Sequence, residues 1–265
     1  KIITISQSAK NDIIREYRVD PSKISIVYPG LKFEIRPPRF AERGRGNSKF
    51  ETNSKSKMLN SKQILNKYGI EGKFILFVGT LQPRKNIVRL VEAFSRIVHP
   101  RGADRAKGGS PPASDSADRG GESGVEENLS LVIIGRRGWQ YEEILESPKK
   151  FGVQDRVRFL GSVTDEELPA FYESAKAFVL PSLNEGFGLP ILEAMKYGCP
   201  VLTSNVSSLP EAGGDAAIYF NPEDVEDIKE KIEKVLSDEK LRDKMIKEGY
   251  EQVKKFSWEK SARQV

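Results

Sequence analysis

Of 265 residues, 38% are apolar and 31% charged, the balance of a soluble globular chain built as one large α/β domain with appendages. No run of about 18 apolar residues is present, which excludes a membrane-spanning helix. The lone cysteine, Cys199, excludes an intramolecular disulfide and a cysteine-cluster metal site, and suits a reducing compartment.

The formal charge of +5 is unevenly held. Between residues 36 and 67 nine basic side chains stand against two acids, a local +7, so the remainder lies near −2. The opening "KIITISQSAKNDII" carries no apolar h-region, so no signal peptide is expected there, and without a starting Met nothing fixes Lys1 as the true N-terminus. Its pattern is a strand–helix–strand unit: "KIITIS", an amphipathic "SAKNDIIREYRV", then "ISIVYPG". That unit is either the last piece of another domain or the first strand of this one. Residues 36–67 are too poor in apolar side chains to order themselves. A solvated loop is favoured there over a patch for anionic lipid or nucleic acid, because Phe40 and Phe50 are its only aromatics.

From residue 68 onward short apolar runs alternate with helical patterns. The strand-like runs are 74–79, 129–135, 156–161, 177–182, 200–205 and 216–220. Most are apolar continuously rather than alternately, as strands covered on both faces must be. Between them lie helical stretches at 86–98, 141–152, 164–175, 189–198 and 225–256. Thr164 with Glu167 reads as a capping box at the third of these. A Gly-, Ser- and Pro-rich stretch, 101–128, reads as a disordered insertion. The alternation predicts an α/β, Rossmann-like doubly wound parallel sheet, with its ligand beyond the carboxyl ends of the strands.

Three loops at such ends attract notice. In "VGTLQPRKNIVRL" the strand ends at Gly79 and Thr80, and Arg84 and Lys85 stand where a helix begins near Asn86. Two cations at a helix start disfavour the dipole unless an anion sits beside them. Solvated surface residues are the equally weighted alternative, and the Lys-Ser/Thr pair of a Walker A loop is missing.

In "NEGFGLPILEAMKYGCPVL" Pro190 suits a first helical turn and Gly198 a stop, which predicts a helix over 190–198. Gly186 and Gly188 let backbone approach a ligand. Glu185 lies just outside that helix and Glu193 in its first turn, and a carboxylate accepts two hydrogen bonds from a vicinal diol. Either acid alone reads as ordinary surface charge; the pair around "GFG" does not. The hydroxyls and glycines of 204–217 line the same mouth or form a plain polar loop, and so with "GRRGW" at 135–139. The only histidine, His99, abuts Pro100 at the insertion's edge, so histidine-based nucleophilic schemes lack parts.

The stretches "FVGTLQPRKN", "VRFLGSVTDEELPAFYESAKAFVLPSLNEGFGLPILEAMKYG" and "FSWEK" resemble the donor-binding, C-terminal half of glycosyltransferase family 4, retaining enzymes of the GT-B fold. The likeness spans about 1–35 and 70–265, and the E-x7-E motif of Glu185 and Glu193 carries it best. It implies that 1–35 close the acceptor-side domain and linker, that 68–256 bind a nucleotide sugar, and that 257–265 begin a C-terminal crossover helix.

It further implies that Glu193 grips the ribose hydroxyls and Glu185 those of the donor sugar. Backbone N–H groups around Phe187, Gly188 and Leu189, beside Gly79 and Thr80, would meet sugar and diphosphate. Arg84 and Lys85 would neutralise the leaving diphosphate. Many members carry Arg where this chain has Thr80, which throws more of that role on Arg84 and Lys85. No metal and no cofactor are expected. The donor would be GDP-mannose or a UDP-sugar, since "GTLQPRKN" is most like the mannosyltransferase-type members, and the acceptor a glycan or lipid-linked glycan.

The acceptor-binding domain would come in cis or trans. The site of action would be cytoplasmic, with contact at the inner membrane face and no nucleic-acid partner. The alternative is a non-catalytic nucleotide-sugar-binding subunit. An epimerase or phosphorylase would need a cofactor-bearing lysine motif or catalytic histidine that is missing.

Overall fold

The computed structural model describes residues 1–31, 61–99 and 128–264. The insertion read at 101–128, save its last residue, and the basic segment up to residue 60 lie outside the described residues. The end of that segment is not a loop: Ser61–Lys67 forms helix α2. Averaged over 32 residues the segment looks polar, but Ile64, Leu65 and Tyr68 recur at helical spacing. Ile64 is buried, and the other two pack against the core.

The chain opens with β1 (Ile2–Thr4), α1 (Gln7–Tyr17) and β2 (Ile24–Ile26), whose two strands pair in parallel as a sheet of their own. The second sheet has six strands: β3 (Lys73–Val78), β4 (Leu129–Ile134), β5 (Val157–Gly161), β6 (Ala177–Leu180), β7 (Val201–Ser204) and β8 (Ala217–Phe220). All pair in parallel in the order β5-β4-β3-β6-β7-β8. β6 and β7 are buried at every position; β6 is an unbroken apolar run, and in β7 the buried Thr203 and Ser204 hydroxyls donate to the Leu180 carbonyl at 3.0 and 3.5 Å.

Strands leave β3 outward through β4 and β5, then return to the other side at β6. Right-handed crossovers therefore set helices on opposite faces. On one, α3 (Ile87–Val98) packs with α4 (Glu142–Lys150) and α8 (Val225–Ser237); on the other, α5 (Leu168–Ser174) and α6 (Leu189–Lys196) pack with α2 and α9 (Glu239–Val253). The reversal of direction between β3 and β6 is the switch point at which such sheets leave a crevice.

Two local readings are corrected. The single helical pattern over 225–256 is broken at Asp238, whose side chain accepts the Leu241 N–H at 2.9 Å. The break lets the chain pass from the α3 face to the α6 face. Thr164 is no helix cap either, for α5 starts only at Leu168. The Glu167 carboxylate instead takes Lys67 Nζ at 2.6 Å and Tyr68 Oη at 2.7 Å, tying α2 to α5.

The first unit is fastened to the second through its exit. Tyr28 packs its ring on Phe187 and Phe256, 5.6 and 5.8 Å between centroids. Gly30 then passes so close to the start of α10 (Trp258–Ala262) that an added Cβ would lie 2.2 Å from the Trp258 nitrogen. Among the described residues no helix is long and apolar enough to cross a membrane.

Candidate active site at the switch point

The turn after β3 holds the predicted cations directly ahead of the start of α3. Pro83–Lys85 is one 3-10 turn, in which the Lys85 and Asn86 N–H groups donate to Gln82 and Pro83 carbonyls, each at 2.9 Å. Arg84 and Lys85 thus stand on a closed turn that leads straight into α3. Asn86 ends that turn with φ 57° and opens α3. Its buried amide donates to the Pro181 carbonyl at 3.0 Å and the Pro222 carbonyl at 2.7 Å. One side chain thus clamps the loops that follow β3, β6 and β8. Sequence reasoning passed Asn86 over; the signal available was an Asn where a turn must adopt a left-handed residue.

Lys85 reaches across the crevice. Gly79 lies alongside it: a Cβ added there would be in ordinary contact with Lys85 Cε, at 3.7 Å. The Thr80 methyl faces the next loop, 2.9 Å from where a Gly138 Cβ would fall. That next loop runs beside residue 81 through a Leu81–Arg137 bridge, and Trp139 on it is exposed.

Glu185, on the loop after β6, is where the cations converge. Its carboxylate pairs with Lys85 Nζ, accepts Arg84 Nη1 at 3.1 Å and accepts the Ser182 hydroxyl at 2.7 Å. The Lys85 and Glu185 side chains are 8% and 10% exposed, the Arg84 side chain 44%. Burial pushes the Glu185 carboxyl up, but the bonds and charges of Lys85, Ser182 and Arg84 outweigh it and hold it below the usual range. Ser207 and Ser208 donate to the Glu185 carbonyl at 2.7 and 2.8 Å. The 204–217 loop therefore does reach the site, by holding the backbone of its acid.

Beyond Glu185 the chain enters α6. Gly188 precedes it at φ 101°, a conformation that costs a side-chained residue about 1–3 kcal/mol. The helix runs Leu189–Lys196 rather than 190–198, because Gly188 rather than Pro190 ends the loop and Tyr197 already leaves helical geometry before Gly198. Glu193 consequently lies beyond the first turn, so complementing the helix dipole is not its role. Phe187 is buried, its ring against Tyr28 and Phe256, which leaves only its backbone to the site.

Glu193 opens on a second space, a pocket of about 270 Å³ lined by Asp165, Tyr172, Leu189, Lys196, Tyr197 and Trp258 among others. The Tyr172 hydroxyl donates to Glu193 at 3.1 Å. Burial raises the Glu193 carboxyl pKa, the Tyr172 bond opposes it, Asp165 adds to it and Lys196 counters. Tyr172 itself is held protonated, first by burial and then by the charge of Glu193.

The structure thus gathers Arg84, Lys85 and Glu185 into one cluster. Glu193 stands in a neighbouring pocket, with Gly188 and Leu189 between them in sequence. The acids have different partners: two cations for one, a phenol and a buried lysine's field for the other.

This architecture defines the class: a doubly wound α/β unit with a charged crevice at the switch point, suited to a ligand bearing both anionic and hydroxylic groups. A family model described as "Glycosyl transferases group 1" matches residues 60–252, and the chain belongs to that family. The O-antigen chain mannosyltransferase B of Escherichia coli is 31% identical over 264 residues, 99% of this chain and 58% of that protein. The serotype-specific mannosyltransferase WbdA of Escherichia coli is 35% identical over 201 residues, 75% of this chain but 22% of that protein. Among solved structures, a glycosyltransferase from Rickettsia africae ESF-5 superposes with TM-score 0.72 at 17% identity, over 99% of this chain and 61% of that one, a likeness of fold. The chain spans little more than half of the first of these relatives.

Proposed function

We propose that this chain is the donor-binding part of a retaining hexosyltransferase that takes a sugar, mannose before others, from a nucleoside-diphosphate sugar to a glycan or lipid-linked glycan. The observation that carries the reading is the Arg84–Lys85–Glu185 cluster at the switch point, next to the glycine-capped start of α6.

Glu185 pairs with both cations. An arriving diphosphate takes over part of their hydrogen bonding, and Glu185 turns its freed oxygens to sugar hydroxyls. Both moves are exchanges of charge-assisted bonds, each worth about 1.5–3 kcal/mol. Glu193 receives the ribose diol in the adjoining pocket. In transfer the bond from sugar C1 to the diphosphate oxygen breaks as the acceptor oxygen bonds C1 on the same face. The acceptor proton passes to the leaving phosphate, whose growing charge Arg84 and Lys85 stabilise.

The partial span of the relatives favours a need for an acceptor-side domain, in the same chain or as a partner. Calorimetric titration with GDP-mannose, UDP-glucose and UDP-N-acetylglucosamine tests the donor site. Binding of one of them below millimolar, abolished in Glu193→Ala, is the expected result. Failure of all three, or an unchanged Glu193→Ala, overturns the assignment.

A further inference from the structure

We propose that Glu211 is a positioning residue: it fixes the turn between β1 and α1 as a wall of the donor-sugar site. Glu211 lies in α7 (Leu209–Gly213), after β7. Its carboxylate accepts the Gln7 N–H at 2.7 Å and the Ser8 N–H at 2.9 Å, one on each oxygen, and the Tyr28 hydroxyl at 3.0 Å. The Ser6 hydroxyl caps only the Ala9 N–H, at 3.0 Å. Two of the N–H groups that a helix start leaves open are thus met by a residue of the other sheet's unit.

The same segment holds the donor loop. Ser207 and Ser208 grip the Glu185 carbonyl, and Glu211 follows three residues later. Residues 207–211 therefore bracket two loops from different units, one at each end.

What the bracket brings together is visible at Gly186. A Cβ added there would meet Ile5 Cδ1 at 3.2 Å, so the Ile5 side chain lies on the loop beside Glu185. Ile5 is 46% exposed, which puts it at the mouth of the crevice rather than in a core. An apolar side chain held over the loop that turns to the sugar shields that end from water and limits how the sugar can lie. The nucleotide end, at Glu193, has no part in this contact. The inference rests on the donor-site reading above.

The test compares GDP-mannose with GDP, in the full chain, by calorimetry and by amide exchange. In Glu211→Ala, exchange at residues 7 and 8 speeds up while β3 and β6 stay protected. The Kd for GDP-mannose rises about tenfold while that for GDP moves less than about twofold. Gln7→Pro removes one donor N–H from the opposite side at a position where proline suits a helix. It reproduces the selective loss, and the double variant is no weaker than the worse single one.

Unchanged exchange at residues 7 and 8, equal loss for GDP and GDP-mannose, or additive effects each overturn the proposal. Should Glu211→Ala lose the protection of β3, Gln7→Pro decides alone, by whether its loss is confined to GDP-mannose. A wild-type chain that binds neither nucleotide sinks the donor-site reading and this inference with it. A wild-type chain that binds both, with variants unchanged, sinks this inference only.

Discussion

Replacing Lys85 with Met separates the two roles of the Lys85–Glu185 pair. Both side chains are about nine-tenths buried, and breaking a buried pair by removing one partner costs roughly 3–5 kcal/mol when the other charge is stranded. Here Glu185 is not wholly stranded, for Ser182 at 2.7 Å and Arg84 at 3.1 Å remain. The Arg84 contact is a half-exposed one worth under about 1 kcal/mol, and the Ser182 hydroxyl bond to the charged carboxylate adds about 1.5 kcal/mol or more. The expected cost is therefore roughly 1–3 kcal/mol, or about 2–4 °C in Tm for each kcal/mol in a chain of this size.

Adding Glu185→Gln removes the stranded charge, so the double variant recovers part of that loss in a urea titration. GDP-mannose affinity does not recover, because two of its proposed partners, Lys85 and Glu185, are gone. A Lys85→Met chain as stable as wild type would show that the pair is not shielded from water. A double variant less stable than Lys85→Met alone would refute the stranded-charge reasoning, and unimpaired GDP binding would refute the site.

The two acids should also give opposite pH signatures. The Glu185 carboxyl is held low, so the stability it supplies over Glu185→Gln is present above the ordinary carboxylate value of 4.5 and is lost as pH falls through the folded-state value. Burial raises Glu193, so wild type should lose ground to Glu193→Gln as pH climbs from 4.5 through its raised value, with the gap closing in acid. Urea midpoints between about pH 3 and 8 check both, and parallel curves would contradict the assignment. Asn86→Ala strands two loop carbonyls at once and should cost about 2–3 kcal/mol. Its faster amide exchange should appear around 182–186 and 223–224, and exchange confined to α3 would deny the clamp.

Several features were legible without coordinates because they depend on neighbours in the chain. The unbroken apolar run of β6 and the largely apolar β4 report burial on both faces, and Gly188 with Pro190 marks a helix entry. The helix over 61–67 was lost in the polar average of its surroundings, and the Asp238 break was hidden by helical spacing that continues across it. The capping box at Thr164 failed for another reason: Lys67 and Tyr68 compete for Glu167 from a distant helix.

On its own, then, the amino-acid order determined the alternation of strands and helices, the parallel sheet, and which loops end at its carboxyl edge. Those are matters of short-range period and of residues that tolerate turns. Which charges meet was decided only by the folded chain. Lys85 and Glu185 lie 100 residues apart, and Glu211 caps a helix about twice as far away in sequence. Such pairings follow from β3 lying beside β6 at the switch point and from the docking of one small sheet on a larger one. No local pattern records either, because an ion pair constrains distance in space and leaves the intervening sequence free.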